Sequence, residues 1–207
     1  MRRLFSEFLL RHTNPVIRYL ILGDVIFYSA AGLLGPIFAI FIVDFIHGGT
    51  VAVAGTATAI ALVTRSVGQI PVARLIDRIR GDNDDFWFMF GGLLVASLIP
   101  LFYLVITTPL QLYLVQFAYG LALAANWPSF YGLFTKYIPE NREATAWSIY
   151  QTFVDLGGAA AAALGGVLAE YIGFGPVIIG VVAIGMLGAF ALIPVRKHLR
   201  ADAAAKA

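Results

Sequence analysis

The 207 residues contain 60% hydrophobic and only 13% charged side chains, and the mean hydropathy is +0.84. Soluble domains carry about a quarter charged residues, so this composition excludes a water-soluble domain and indicates a chain solvated by lipid. The net charge is +2, and the absence of cysteine excludes disulfides and thiolate metal sites.

Six apolar segments are long enough to cross the roughly 30 Å hydrocarbon core of a bilayer as helices. In chain order they lie at about 16–45, 51–75, 86–106, 110–137, 144–170 and 176–195. Residues 1–14 form a predicted cytoplasmic N-terminal arm, 15–196 the six-helix transmembrane domain, and 197–207 a cytoplasmic tail. The sequence therefore predicts an all-α polytopic membrane protein.

Basic residues decide the predicted orientation, because Lys and Arg near helix ends are retained in the cytoplasm. With both termini inside, thirteen of the 14 Lys and Arg residues fall on cytoplasmic segments, and only Arg65 lies within a span. The first apolar run is too long for a cleaved signal peptide. We therefore predict a multi-pass protein of the inner or plasma membrane with both termini in the cytoplasm.

Helices one to three and four to six are predicted to form an inverted three-plus-three repeat, as in many transporters. Pro36 in the first helix and Pro128 in the fourth each precede a Phe by two residues. The polar residues Asp24 and Gln116 stand twelve residues before these prolines. Chance agreement is the alternative explanation for so few positions.

Ionisable residues inside the spans are costly in lipid and usually face a partner, a cavity or a substrate path. Asp24, Arg65 and Asp155 lie at similar depths, where they can meet. Helical spacing adds polar neighbours, and the predicted substrate or coupling cavity comprises Asp24, Tyr28, Arg65, Gln69, Asn126, Gln151 and Asp155. The alternative is a static ion pair between Arg65 and a carboxylate that only ties helices together.

The loop after the second helix reads Ala73-Arg74-Leu75-Ile76-Asp77-Arg78-Ile79-Arg80-Gly81. It resembles the Gly-x-x-x-Asp-Arg-x-Gly-Arg-Arg loop of the major facilitator superfamily, in which Asp77 and Arg78 match. The fifth helix is similar to the family's glycine-rich efflux motif but lacks its Gly-Pro pair, and Gln116 replaces the arginine of the fourth helix. The chain thus resembles one six-helix half of a twelve-helix family member.

This resemblance implies a secondary transporter of a small solute that works by alternating access, and not an enzyme. A single half supplies only one wall of the family's substrate path, so a parallel homodimer is expected, with helix two of each copy against helix five of the other. Small residues suit such a close contact, and the predicted interface comprises Gly55, Ala59, Gly157, Gly158, Ala161, Ala162, Gly165 and Gly166. Across it, Asp155 of one copy is expected to pair with Arg65 of the other.

The loop residues Asp77, Arg78 and Arg80 are expected to gate the conformational change. The alternative function is a non-transporting membrane subunit or scaffold that pairs with another half-transporter. The expected partners are the lipid bilayer, a second copy and a small-molecule substrate, with no cofactor, metal or nucleic acid. Substrate identity, direction and a coupling ion are left open.

Overall fold

A computed structural model describes residues 14–79 and 81–206, with side chains for residues 14–79, 81 and 83–200. These residues form α1 Pro15–Leu34, α2 Phe38–Phe45, α3 Val51–Ile79, α4 Asp82–Leu98, a 3-10 helix Ile99–Leu104, α5 Pro109–Tyr137, α6 Glu143–Ile172, α7 Phe174–Phe190 and α8 Ile193–Lys206. The predicted all-α fold is therefore confirmed for the described residues. The predicted arm, apart from Asn14, lies outside them.

Local sequence signals explain where several helices begin and end. The Asn14 side chain accepts the hydrogen bond of the backbone amide two residues on, and Pro15 occupies the first turn, where no N–H is needed. Thr108 and Gln111 form a capping box that starts α5. Gly173 separates α6 from α7 with a φ of 81°, a conformation that favours glycine.

Two predicted spans are interrupted where a proline interferes with helical hydrogen bonding. The segment predicted as one helix at 16–45 is two helices, because Pro36 has no N–H for the carbonyl four residues earlier. The third span tightens into the 3-10 helix that contains Pro100. Pro128, by contrast, lies inside the continuous helix α5. The two prolines paired in the predicted repeat therefore have different effects on the backbone.

The helices pack in a pattern that relates the first three spans to the last three. Helix α1 packs against α6 and α7, while α5 packs against α3 and α4, and α4 also meets α7. Exchanging spans one to three with spans four to six converts the two α1 contacts into the two α5 contacts and leaves the contact of α4 with α7 unchanged. This is the relation that a three-plus-three repeat predicts, and it leaves α3 and α6 at two edges of the bundle.

Five helical segments are long and apolar enough to cross a membrane: Pro15–Leu34, Val51–Ile79, Asn83–Leu104, Glu143–Ile172 and Phe174–Arg200. The sixth predicted span, α5, has 29 residues, but polar side chains such as Gln116 and Asn126 lower its hydropathy. That α5 crosses the membrane stays a prediction. Residues 197–206 of the predicted tail are helical, as part of α8.

Contacts between helix ends join α8 to α4 and α1 at one end of the bundle. Arg196 at the start of α8 donates a 3.3 Å hydrogen bond to Asn83 of α4, and the His198 ring stacks on Tyr19 of α1. At the other end, the His47 amide donates to the Thr107 carbonyl at 2.8 Å. The predicted cytoplasmic orientation of the basic end stays a prediction.

Candidate functional site

A cavity of about 360 Å³ lies between α1, α3, α5, α7 and the end of the third span. Most of its lining is apolar, and its charged lining residue is Arg65. The other lining residues with polar groups are Tyr28, Thr58, Ser97, Tyr103, Gln116 and Tyr119. The cavity thus has one cationic region in a mainly apolar space, with hydroxyl and amide groups around it.

Arg65 is half-buried and stacked on an aromatic ring. Its guanidinium carbon lies 5.2 Å from the centroid of the Trp127 ring on α5. Such cation–π contacts contribute about 0.5–2 kcal/mol, depending on how far the cation is desolvated. Within the described part of the chain, the Arg65 guanidinium contacts this ring and no carboxylate. The static ion pair considered from the sequence is therefore not formed here.

Gly120 on α5 allows helix α3 to come close enough for this stacking. A Cβ atom at Gly120 would lie 2.6 Å from the Ala61 carbonyl oxygen and 2.8 Å from the Thr64 Cβ atom. It would also lie 3.2 Å from the backbone nitrogen of Arg65. Only a residue without a side chain fits this crossing, and Trp127 follows two helical turns later on the same side of α5.

Tyr28 and Trp127 place two hydrogen-bond donors beside Arg65. Their rings meet edge to face with centroids 6.2 Å apart. The Tyr28 hydroxyl and the Trp127 indole nitrogen are buried without a hydrogen-bond partner. Further rings continue the contact, since Tyr131 lies 4.9 Å from Trp127 and 5.2 Å from Trp147, centroid to centroid. Sequence reasoning did not identify Trp127 as a site residue. Its position seven residues after Gly120, on the same side of the helix, could have indicated it.

Asp24 belongs to a separate buried pair. The Tyr150 hydroxyl on α6 donates a 3.0 Å hydrogen bond to one Asp24 carboxylate oxygen, and the other oxygen has no partner. Asp24 is 2% exposed and does not line the cavity, although it lies one turn from Tyr28. The hydrogen bond ties α1 to α6 at this depth, beside the cavity and not within it.

The remaining predicted cavity residues do not line the cavity. The Gln151 side chain donates a 2.8 Å hydrogen bond to Asp155, and both residues are exposed on α6. The buried Asn126 side chain donates to the Met89 carbonyl at 3.1 Å, which links α5 to α4. Gln69 is half-buried one turn beyond Arg65 and does not line the cavity. Of the seven predicted residues, only Tyr28 and Arg65 line it.

The predicted dimer-interface residues fall into two groups. Gly157, Ala161 and Gly165 face α1 of the same chain: a Cβ at Gly157 would meet Ser29, and one at Gly165 would meet the backbone of Leu33. These three residues pack within the protomer. Of the other five, Gly55 and Ala59 are exposed and Gly158, Ala162 and Gly166 are half-buried. Exposed small residues of α6 are Ala159, Ala160 and Ala163.

The loop residues lie at the basic end of α3. Asp77 and Arg78 are exposed in its last turn, and Arg80 lies outside the described residues. Their predicted gating role stays a prediction.

Comparison with known families agrees with this fold. Residues 20–207 match the family model of the Major Facilitator Superfamily. A search among curated proteins returned no match. The family match runs from within α1 through every later helix of the bundle, and it confirms the resemblance seen in the loop around Asp77. The chain therefore belongs to the Major Facilitator Superfamily.

Proposed function

We propose that the chain is a half-size secondary transporter of a small solute that works as a parallel homodimer by alternating access. Family membership supports transport across a lipid bilayer. The homodimer is supported by the exposure of α3 and α6, which remain largely unburied within one chain. Only 11% of the apolar window of each is buried, against 44% or 50% for the other three candidate spans.

The exposed face of α6 is chemically unsuited to lipid. Gln151 and Asp155 are hydrogen-bonded to each other on this face, well inside a 30-residue helix. An ionisable side chain at membrane depth costs a few kcal/mol unless protein or water covers it. Ala159 and Ala163 are exposed on the same helix and permit close helix approach. A second protein surface, or a water-filled path beside it, would remove this cost.

The exposed face of α3 is complementary to that of α6. It carries the exposed small residues Gly55 and Ala59, which permit close helix approach. In a two-fold dimer about the membrane normal, α3 of each copy meets α6 of the other. Small residues would then meet small residues at the contact, which permits the close packing of the two helices.

Two such copies would enclose a path that neither forms alone. Rocking of one six-helix unit against the other would open it alternately to each side. The proposal includes α5 as the sixth span and places the basic end of the bundle, with both termini, in the cytoplasm. Asp77 and Arg78 would then act at the cytoplasmic end of α3.

Flux through reconstituted protein tests this function. Liposomes are loaded with a defined mixture of sugars, amino acids, amines and carboxylic acids, and release is followed by mass spectrometry. We expect release of at least one class above protein-free liposomes. Ala163→Trp on α6 should abolish it by blocking the dimer contact, whereas Ala183→Trp, on an exposed face of α7, should not.

The alternative of a non-transporting subunit predicts a different result. The protein would then release no solute from these liposomes, and it would co-purify from its native membrane with a different half-transporter. Equal flux through both Trp variants would leave transport in place but would contradict the dimer contact.

A further inference from the structure

We infer that the cavity binds a small amphiphilic carboxylate, with its anionic end at Arg65 and its apolar body in the remaining space. This inference rests on the proposed transport function, because it names the substrate class. Binding itself is nevertheless measurable whether or not solute crosses the membrane.

The first step is the uncompensated charge of Arg65. Arginine stays protonated in proteins, and its guanidinium here lines the cavity beside Trp127 without a carboxylate contact among the described residues. The ring attracts the cation but does not neutralise it. A charge at this depth in a membrane favours an anionic partner, and the planar guanidinium suits a carboxylate through two parallel hydrogen bonds.

The second step is a hydroxyl group on a neighbouring cavity residue. Tyr28 lines the cavity, and its hydroxyl is buried without a hydrogen-bond partner. A buried polar group without a partner costs about 1–3 kcal/mol. A ligand carboxylate near Arg65 would give this hydroxyl an acceptor, whereas a ligand ammonium group would be repelled by Arg65.

The third step is the character of the remaining lining. Apolar side chains that also line the cavity are Phe27, Leu34, Phe38, Leu123 and Val181. Burying apolar ligand surface there is favourable by about 25 cal/mol per Å². The volume of about 360 Å³ is near the small end of the range for ligand pockets.

Equilibrium binding to the purified protein tests the site. Phenylbutyrate, phenylbutanamide, phenylbutylamine and acetate are titrated calorimetrically into the protein in detergent, with protein-free micelles as the background. We expect phenylbutyrate to bind about tenfold or more tightly than the neutral amide, because only the carboxylate forms charge-assisted hydrogen bonds. Acetate should bind at least about tenfold more weakly than phenylbutyrate, because it leaves the apolar space unfilled.

Variants assign the preference to Arg65. Arg65→Gln should bring the affinities of the carboxylate and the amide close together, and Arg65→Lys should keep part of the difference. Arg74→Gln removes an exposed cation from the same helix and should leave the wild-type preference intact. The ligand comparison on the wild-type protein needs no variant, so it stands even where Arg65→Gln fails to fold.

Three results would overturn the site: equal affinity for carboxylate and amide, tighter binding of the amine, or a carboxylate preference that survives Arg65→Gln. If the preference for carboxylate over amide appears only in the Asp155→Asn variant, the counter-ion of Arg65 in the wild-type protein is instead Asp155 of a second copy. Carboxylate binding without flux would keep this site and remove the transport proposal. Flux of neutral solutes without carboxylate preference would do the reverse.

Discussion

Gly120→Ala is expected to destabilise the contact between α3 and α5 that positions Arg65. The new Cβ would lie 2.6 Å from the Ala61 carbonyl oxygen and 2.8 Å from the Thr64 Cβ atom. Both atoms are fixed to the backbone, so α3 must shift by several tenths of an ångström. Overpacking of this kind costs about 1–3 kcal/mol, and the gain from replacing a helical glycine by alanine offsets about 0.5–1 kcal/mol of it.

The matched control is Gly132→Ala on the same helix. Gly132 is exposed, and no heavy atom lies within 4 Å of a Cβ built there. Unfolding of purified protein by SDS, followed by far-ultraviolet circular dichroism, should show a net loss of about 1–2 kcal/mol for Gly120→Ala. Gly132→Ala should be neutral or slightly stabilised. Equal stability of the two variants would refute the close approach of α3 and α5 at Gly120.

Three further predictions use the same unfolding measurement. Tyr150→Phe should cost about 1–3 kcal/mol, because the buried Asp24 carboxyl loses its hydrogen-bond donor; an unchanged midpoint would show that the bond is not formed. Asp24→Ala combined with Tyr150→Phe should cost less than the sum of the single changes, since the two residues share one interaction; strict additivity would contradict the pairing. Gly165→Ala should cost about 1–3 kcal/mol, because its new Cβ would meet the Leu33 backbone. The neighbouring change Gly166→Ala should alter stability little, because a Cβ there meets open space. A larger loss of stability for Gly166→Ala than for Gly165→Ala would contradict the packing of α6 against α1.

Hydropathy predicted most helices well, because the length of an apolar run is a local property of the chain. The predicted spans at 51–75 and 144–170 correspond to helices that extend only a few residues further. The break at Pro36 was not predicted, since proline is tolerated inside α3 and α5 of the same protein. Whether a proline breaks a helix depends on the neighbours that satisfy the freed carbonyl group, and the sequence alone does not show those neighbours.

The candidate site was predicted in part, for a related reason. An ionisable residue inside a span reveals that it needs a special environment, which is why Asp24 and Arg65 were found. Helical periodicity does not reveal which helix lies opposite. Asp24 is bonded to Tyr150, 126 positions away, and Arg65 is stacked on Trp127. Likewise, the small-residue spacing of α6 was recognised, but one of its faces, at Gly157 and Gly165, packs against α1 of the same chain.

Cysteine cross-linking in membranes tests the homodimer most directly, because the chain has no cysteine of its own. Ala59 lies eight residues from the start of α3 and Ala163 nine residues from the end of α6, so both are about 12–14 Å from the same end of the bundle. Both side chains are exposed.

The control pair is Val95→Cys with Ala183→Cys. Both residues are exposed on the third and sixth spans, away from the proposed contact and nine residues from the same end of the bundle. Mild oxidation should convert the Ala59→Cys, Ala163→Cys protein into covalent dimers while the control protein remains monomeric. Monomers alone for both pairs, or equal cross-linking of both, would contradict a transporter assembled from two copies of this chain.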